Sequence, residues 1–118
     1  MARDTSPATL ISAGIEQLTE ATPVKEGRVA SKTLFSGQDV RVVHLALDTE
    51  LTEHRAPSPI VVQVIEGKVR FDVEEQRHTM GVGGLIHVAA GVPHAVAPVE
   101  GPARILIHLM APSAHETK

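Results

Sequence analysis

Residues 83–96 read Gly-Gly-Leu-Ile-His-Val-Ala-Ala-Gly-Val-Pro-His-Ala-Val. Residues 85–88 have the apolar content of a short strand. Gly91 and Pro93 then mark a tight turn, and apolar sequence resumes at His94. Glycine permits backbone angles closed to other residues, so a turn built on it can aim the next residue back over a sheet. Imidazole is the commonest metal ligand among side chains and the one that titrates near neutral pH without perturbation. His94 is therefore the first candidate functional residue, and the question is whether it has partners.

The same grammar of short β-branched runs broken by turn residues extends in both directions. It predicts strands over 28–35, 40–47, 60–65, 69–73, 76–80, 85–88, 94–97 and 103–110. The polar stretch 48–53 and the Pro57/Pro59 segment read as connections. Glu66-Gly67-Lys68 is a hairpin turn signal. Strands recurring about every ten residues with no long helix between them imply an antiparallel sandwich or barrel. Ahead of them, Leu10, Ile11, Ile15 and Leu18 are spaced as on one helix face, which predicts a short helix over 12–20 interrupted by Gly14. Residues 1–24 thus read as an N-terminal segment, 25–112 as one barrel domain and 113–118 as a frayed tail.

Composition narrows the chemistry. The 118 residues contain no cysteine, which excludes disulfides, thiolate catalysis and thiolate zinc sites. Two phenylalanines are the only aromatic rings of the Phe/Trp/Tyr group, which argues against stacking sites for sugars or single-stranded nucleic acid. The net charge of −3, with both signs interspersed, gives no basic footprint for nucleic acid or an anionic membrane. No run reaches the length of a membrane span and no secretory leader is visible, so the expectation is a cytoplasmic protein.

The residues from Arg41 to Met110 resemble the cupin family of small jelly-roll, or double-stranded β-helix, barrels. The family's first motif runs Gly, five residues, His, one, His, three or four, Glu, six, Gly. That register falls on Asp48, His54, Ala56, Ile60 and Gly67, of which His54 and Gly67 match. The second motif runs Gly, five, Pro, one, Gly, two, His, three, Asn. It falls on Gly83, Ala89, Gly91, His94 and Pro98, where both glycines and the histidine match. The segments 29–35 and His54-Arg-Ala-Pro57 are similar to a subgroup of small bacterial cupins with a His-x-Ala-Pro first motif.

The resemblance implies a divalent metal inside the barrel, held by three histidines and a glutamate. Carried over position by position, the metal ligands are His54 and His94; Ala56 and Ile60 cannot ligate. Zinc, nickel, iron or copper would each suit imidazole. A third group could come from His87, on the strand entering the His94 turn, from Gln63, or from His44, which like His108 interrupts an apolar strand. Strand alternation constrains this: if position 60 faces inward, so do 62 and 64, and Gln63 faces outward unless a bulge intervenes. A lone histidine in an apolar strand is more often a hydrogen-bonded core or interface residue than a ligand, and this reading applies to His44 and His108. His78 reads as solvated, and Asp72, Glu74 and Glu75 as a charged edge that discourages strand association.

Three functions fit these residues. One is a metal-dependent enzyme of dioxygenase or isomerase type, and another a metal-poor barrel that binds or senses a small molecule. In the second, His54 and His94 would donate hydrogen bonds to a carboxylate or carbonyl ligand. The third is a structural barrel with a filled interior. In each the expected assembly is a homodimer, because the strand over 28–35 resembles the segment that packs across cupin dimers.

Overall fold

The computed structural model describes residues 7–110; the expected tail over 113–118 and the first six residues lie outside them. One short helix, α1 (Ile15–Ala21), precedes nine strands: β1 (Val29–Ser36), β2 (Val40–Leu47), β3 (Leu51–His54), β4 (Ile60–Glu66), β5 (Val69–Val73), β6 (Gln76–Met80), β7 (Leu85–Val88), β8 (His94–Pro98) and β9 (Ala103–Met110). The strands form a five-stranded sheet, β1-β2-β9-β4-β7, and a four-stranded sheet, β3-β8-β5-β6. Every pairing is antiparallel.

Alternation sorts the side chains into two faces. In β4, Ile60, Val62 and Val64 are each at most 2% exposed. They meet Leu45 and Leu47 of β2 and Ile105 of β9 from their own sheet, and Val69, Phe71 and Val96 from the other. This one continuous core lies between the sheets. Burying each large aliphatic side chain contributes about 1.5–3 kcal/mol before chain entropy is counted.

The turn between β4 and β5 shows why the motif glycine stands at 67. Gly67 has φ +80°, and a Cβ there would sit 2.7 Å from the Pro102 carbonyl oxygen. The left-handed backbone angle and this close approach to the β9 entry both demand glycine.

Two local expectations change. The helix starts at Ile15 instead of Ser12, because Gly14 is fully extended (φ 170°). The Ser12 hydroxyl accepts from the Gly14 amide, and Gln17 Oε1 accepts from the Ala13 amide at 2.8 Å, closing the turn ahead of the helix. The polar stretch before His54 is not merely a connection: Leu51–His54 forms β3. Its register shifts between Leu51 and His54, so a bulge removes the alternation that marks a strand.

The candidate imidazole site

β3 and β8 bring the two motif histidines together. His54 and His94 are direct cross-strand partners, and their ring centroids lie 4.3 Å apart at an interplanar angle of 65°. His94 also pairs across β5 with Val73, which places it on the sheet face shared by the core residues Phe71 and Val96. The Phe71 ring lies nearly parallel to His94, 10° between planes and 5.8 Å between centroids. Phe71 is buried, His94 is 4% exposed, and His54 is exposed. One imidazole is thus sunk against the core while the other stands above it at the rim.

Both rings are held in the same way. Nδ1 of His54 lies 2.9 Å from the Thr52 carbonyl oxygen, and Nδ1 of His94 lies 2.9 Å from that of Val92. A carbonyl can only accept, so each Nδ1 carries the proton and donates. The remaining nitrogen of each neutral ring, Nε2, is then a bare lone pair. This backbone clamp on Nδ1 is the arrangement that fixes the tautomer of a metal-binding histidine. Burial pushes the His94 pKa below the ordinary imidazole value; the bond to Val92 works in the opposite sense, and charge on His54 lowers it further.

The other motif positions have structural roles. Ala56 packs against the core, and its carbonyl accepts the Gly91 amide at 2.8 Å, joining the two motif turns. Ile60 is core. Asp48 stands at the motif's first glycine, and its carboxylate accepts the Gly27 amide at the mouth of the β1–β2 hairpin. Among the described residues, no group of three or more His, Cys, Asp or Glu side chains is placed to hold a metal ion. The family's full ligand set therefore does not fit this chain, and two imidazoles remain.

His44, Gln63 and His87 do not join the pair. Gln63 lies beside Leu106 and Leu85, and His87 beside Val61, in register positions that alternate with core residues. His44 is the register partner of Leu106 and Lys32. All three stand on the outer face of the five-stranded sheet, as does His108 opposite Val42 and Val61. Conversely, His78 is the register partner of Phe71 and so lies on the inner face of the four-stranded sheet. Its signal was the two-residue turn Glu74-Glu75, where Glu74 has φ 54°; that turn fixes the hairpin register.

Beside the pair, Glu50, Glu53, Asp72 and Glu74 line a surface cleft of about 290 Å³ that reaches His94. Asp72 is already engaged: hydrogen bonding from Arg77, at 3.0 Å, is the main cause that lowers its pKa, and Arg70 adds to it.

Comparison with known proteins agrees with the fold. The chain matches the cupin domain family over residues 41–109 and belongs to it. Its structure is similar to that of a conserved protein of unknown function from Streptococcus pyogenes, at 25% identity and TM-score 0.73, covering 87% of this chain and 91% of that one. A cupin superfamily protein from Desulfitobacterium hafniense superposes with TM-score 0.71 at 16% identity, covering 93% and 94%. KdgF from a Halomonas species does so with TM-score 0.68 at 12% identity, covering 80% and 89%. At these last two identities the likeness is one of fold. No curated protein sequence matches. Among the described residues no helix is long and apolar enough to cross a membrane.

Proposed function

We propose that this cupin is a small-molecule binding barrel in which His54 and His94 hold an exchangeable divalent metal ion. The observation that supports it is the paired clamp: both Nδ1 donors are spent on backbone carbonyls, so the site offers two neutral Nε2 acceptors. Acceptors of this kind suit a Lewis acid, not an anion. Direct hydrogen-bond donation to a carboxylate would require a protonated ring, which the burial of His94 opposes.

Bound there, the ion would supply Lewis acidity toward a carbonyl or hydroxyl oxygen of a small organic ligand. The chain's own residues do the rest. Thr52 and Val92 orient the rings, and Phe71 holds the His94 plane. His54, at the exposed rim, is where an incoming ligand first meets the site. With no third protein ligand, the ion would depend on water or the organic ligand to complete its coordination, which makes it exchangeable.

Isothermal titration of untagged protein with zinc, nickel, iron(II) or copper(II) salts tests this. One ion per chain should bind, and His54→Ala and His94→Ala should each abolish the heat. If no ion binds, or if both variants bind as the native chain does, the metal reading fails. Stabilisation by a hydroxyl- or ammonium-bearing ligand without metal would then favour the metal-poor binding barrel.

The same proposal includes a homodimer through the outer face of the five-stranded sheet. Leu85 is 63% exposed there, and Val61, Leu106 and Met110 are only partly covered. Apolar surface of this kind favours association. Light scattering at micromolar concentration should report twice the chain mass; a monomer would refute it.

A further inference from the structure

A second buried histidine lies on the opposite side of the five-stranded sheet. His44 is fully buried. Its Nε2 is 3.4 Å from Nη1 of Arg104, and its Nδ1 meets no hydrogen-bond partner among the described residues. A guanidinium is always protonated and only donates. Nε2 of His44 must therefore be the acceptor, with the ring neutral and its proton on Nδ1.

Arg104 itself is 4% exposed and ties three elements together. Its Nε donates to Glu66 Oε1 of β4 at 2.8 Å, and its Nη1 donates to the Thr22 carbonyl at 2.8 Å. Thr22 is the C-cap residue of α1 and is buried. The helix has seven residues, no side-chain N-cap bond, and Leu18 as its buried residue. A helix this short does not hold its form alone in water. Its C-terminal end is fastened to the sheet through Arg104.

We propose that His44 and Arg104 form an acid-released latch that holds α1 and its C-terminal turn against the outer face of the five-stranded sheet. A proton on His44 Nε2 turns the acceptor into a donor facing a donor. It also sets two cations against each other where water does not screen them. The charged groups around His44 offset this only in part. Lys32, its register partner on β1, adds like charge, and the carboxylate of Glu66 on β4 already takes the Arg104 Nε. Glu20 of α1 is exposed. The strand pairings of β2 hold His44 in place. Relief comes from turning the guanidinium outward, which releases the Thr22 carbonyl. The adjoining cleft of about 450 Å³, lined in part by Leu18, Lys32 and Leu34, then opens along β1.

The direction of the switch follows from burial. Burial, and next the Arg104 charge, hold the His44 pKa below the ordinary imidazole value, with Glu66 acting in the opposite sense. A histidine held low in the folded state keeps its latch closed above about pH 6.5, the ordinary value, and loses it as the pH falls below that.

Amide hydrogen exchange from pH 7.5 to 5, corrected for the intrinsic rate at each pH, reads the latch directly. Local opening of α1 should rise severalfold as the pH falls through that range, the direction set by the lowered His44 pKa, while β4 and β9 stay protected. His44→Gln keeps an acceptor near Nε2 and cannot titrate, so its α1 should show no acid-induced opening. Uniform α1 protection in the native chain, equal acid response in His44→Gln, or loosening of α1 only together with β4 and β9 would each overturn the latch. Should His44→Gln fail to fold, a proton NMR titration of the native chain decides. The His44 ring and the Leu18 methyls must then share one midpoint, and separate midpoints would overturn the proposal.

Discussion

His94 and His44 are both buried histidines on apolar strands, yet their surroundings have opposite chemistry. His94 donates through Nδ1 to its own backbone and stacks on Phe71, with a second imidazole 4.3 Å away by centroid. His44 presents Nε2 to a guanidinium and leaves Nδ1 unmatched among the described residues. What separates them is strand parity. His94 alternates with outward residues on β8, whereas His44 alternates with Val43, Leu45 and Leu47, the core residues of β2. A one-residue shift in either strand would exchange a site in the barrel for a tie on its outside.

The largest expected effect breaks the His94 side. Phe71 fills the core beneath that ring, and Phe71→Ala removes both the packing and the stacked partner. Denaturant unfolding should show a loss of about 3–5 kcal/mol. The proposed metal uptake should weaken even where the variant remains folded, because the His94 plane is no longer held. A variant that loses stability but takes up metal as the native chain does would show that the Thr52 and Val92 carbonyls alone orient the pair.

Two motif glycines extend the comparison at a smaller scale. Gly67 follows Glu66, the carboxylate that holds Arg104, while Gly91 starts the turn into His94. Both have positive φ, +80° and +79°, but only Gly67 has backbone atoms where a Cβ would fall. Gly91→Ala should therefore cost only the left-handed penalty of about 1–2 kcal/mol. Gly67→Ala adds a backbone collision and should cost about 1 kcal/mol more, on the scale of overpacking. It should also loosen α1 through Glu66 and Arg104. Equal losses in thermal unfolding would mean that the Pro102 carbonyl shifts freely and that the close approach is not a constraint.

These contrasts also show what the amino-acid sequence reveals and what it does not. Runs such as Val40–Leu47, Val69–Val73 and Ala103–Met110 appear in the structure with the bounds their β-branched content predicts, because each element's pattern is local. The His54/His94 pairing was visible because two motif spacings survive. β3 was missed because Thr52, Glu53 and His54 are polar and a bulge breaks their alternation. His78 could have been placed on the inner face from its hairpin, since a two-residue turn sets the register. The environment of His44 could not be read, because its partner lies 60 residues away. Nothing in the sequence around Arg104 announces that it faces His44.

The smallest expected effect separates the two histidines by proton. Burial holds both below the ordinary imidazole value, so the unfolded chain binds protons more readily than the folded one. Stability should then be level above about pH 6.5 and fall as the pH drops below it. Two variants divide that acid limb in chelator-treated buffer. His44→Gln retains an acceptor near Nε2, and His94→Asn retains a donor near Nδ1, while neither side chain titrates. Each should flatten part of the limb in urea unfolding measured from pH 7.5 to 5, and the double variant should flatten the sum. That sum is the decisive quantity. The two rings occupy opposite faces of different sheets and share no hydrogen-bond partner, so their contributions should add. A double variant departing from additivity by more than about 0.5 kcal/mol would mean that the barrel couples its two faces, and that the latch and the imidazole pair act as one unit.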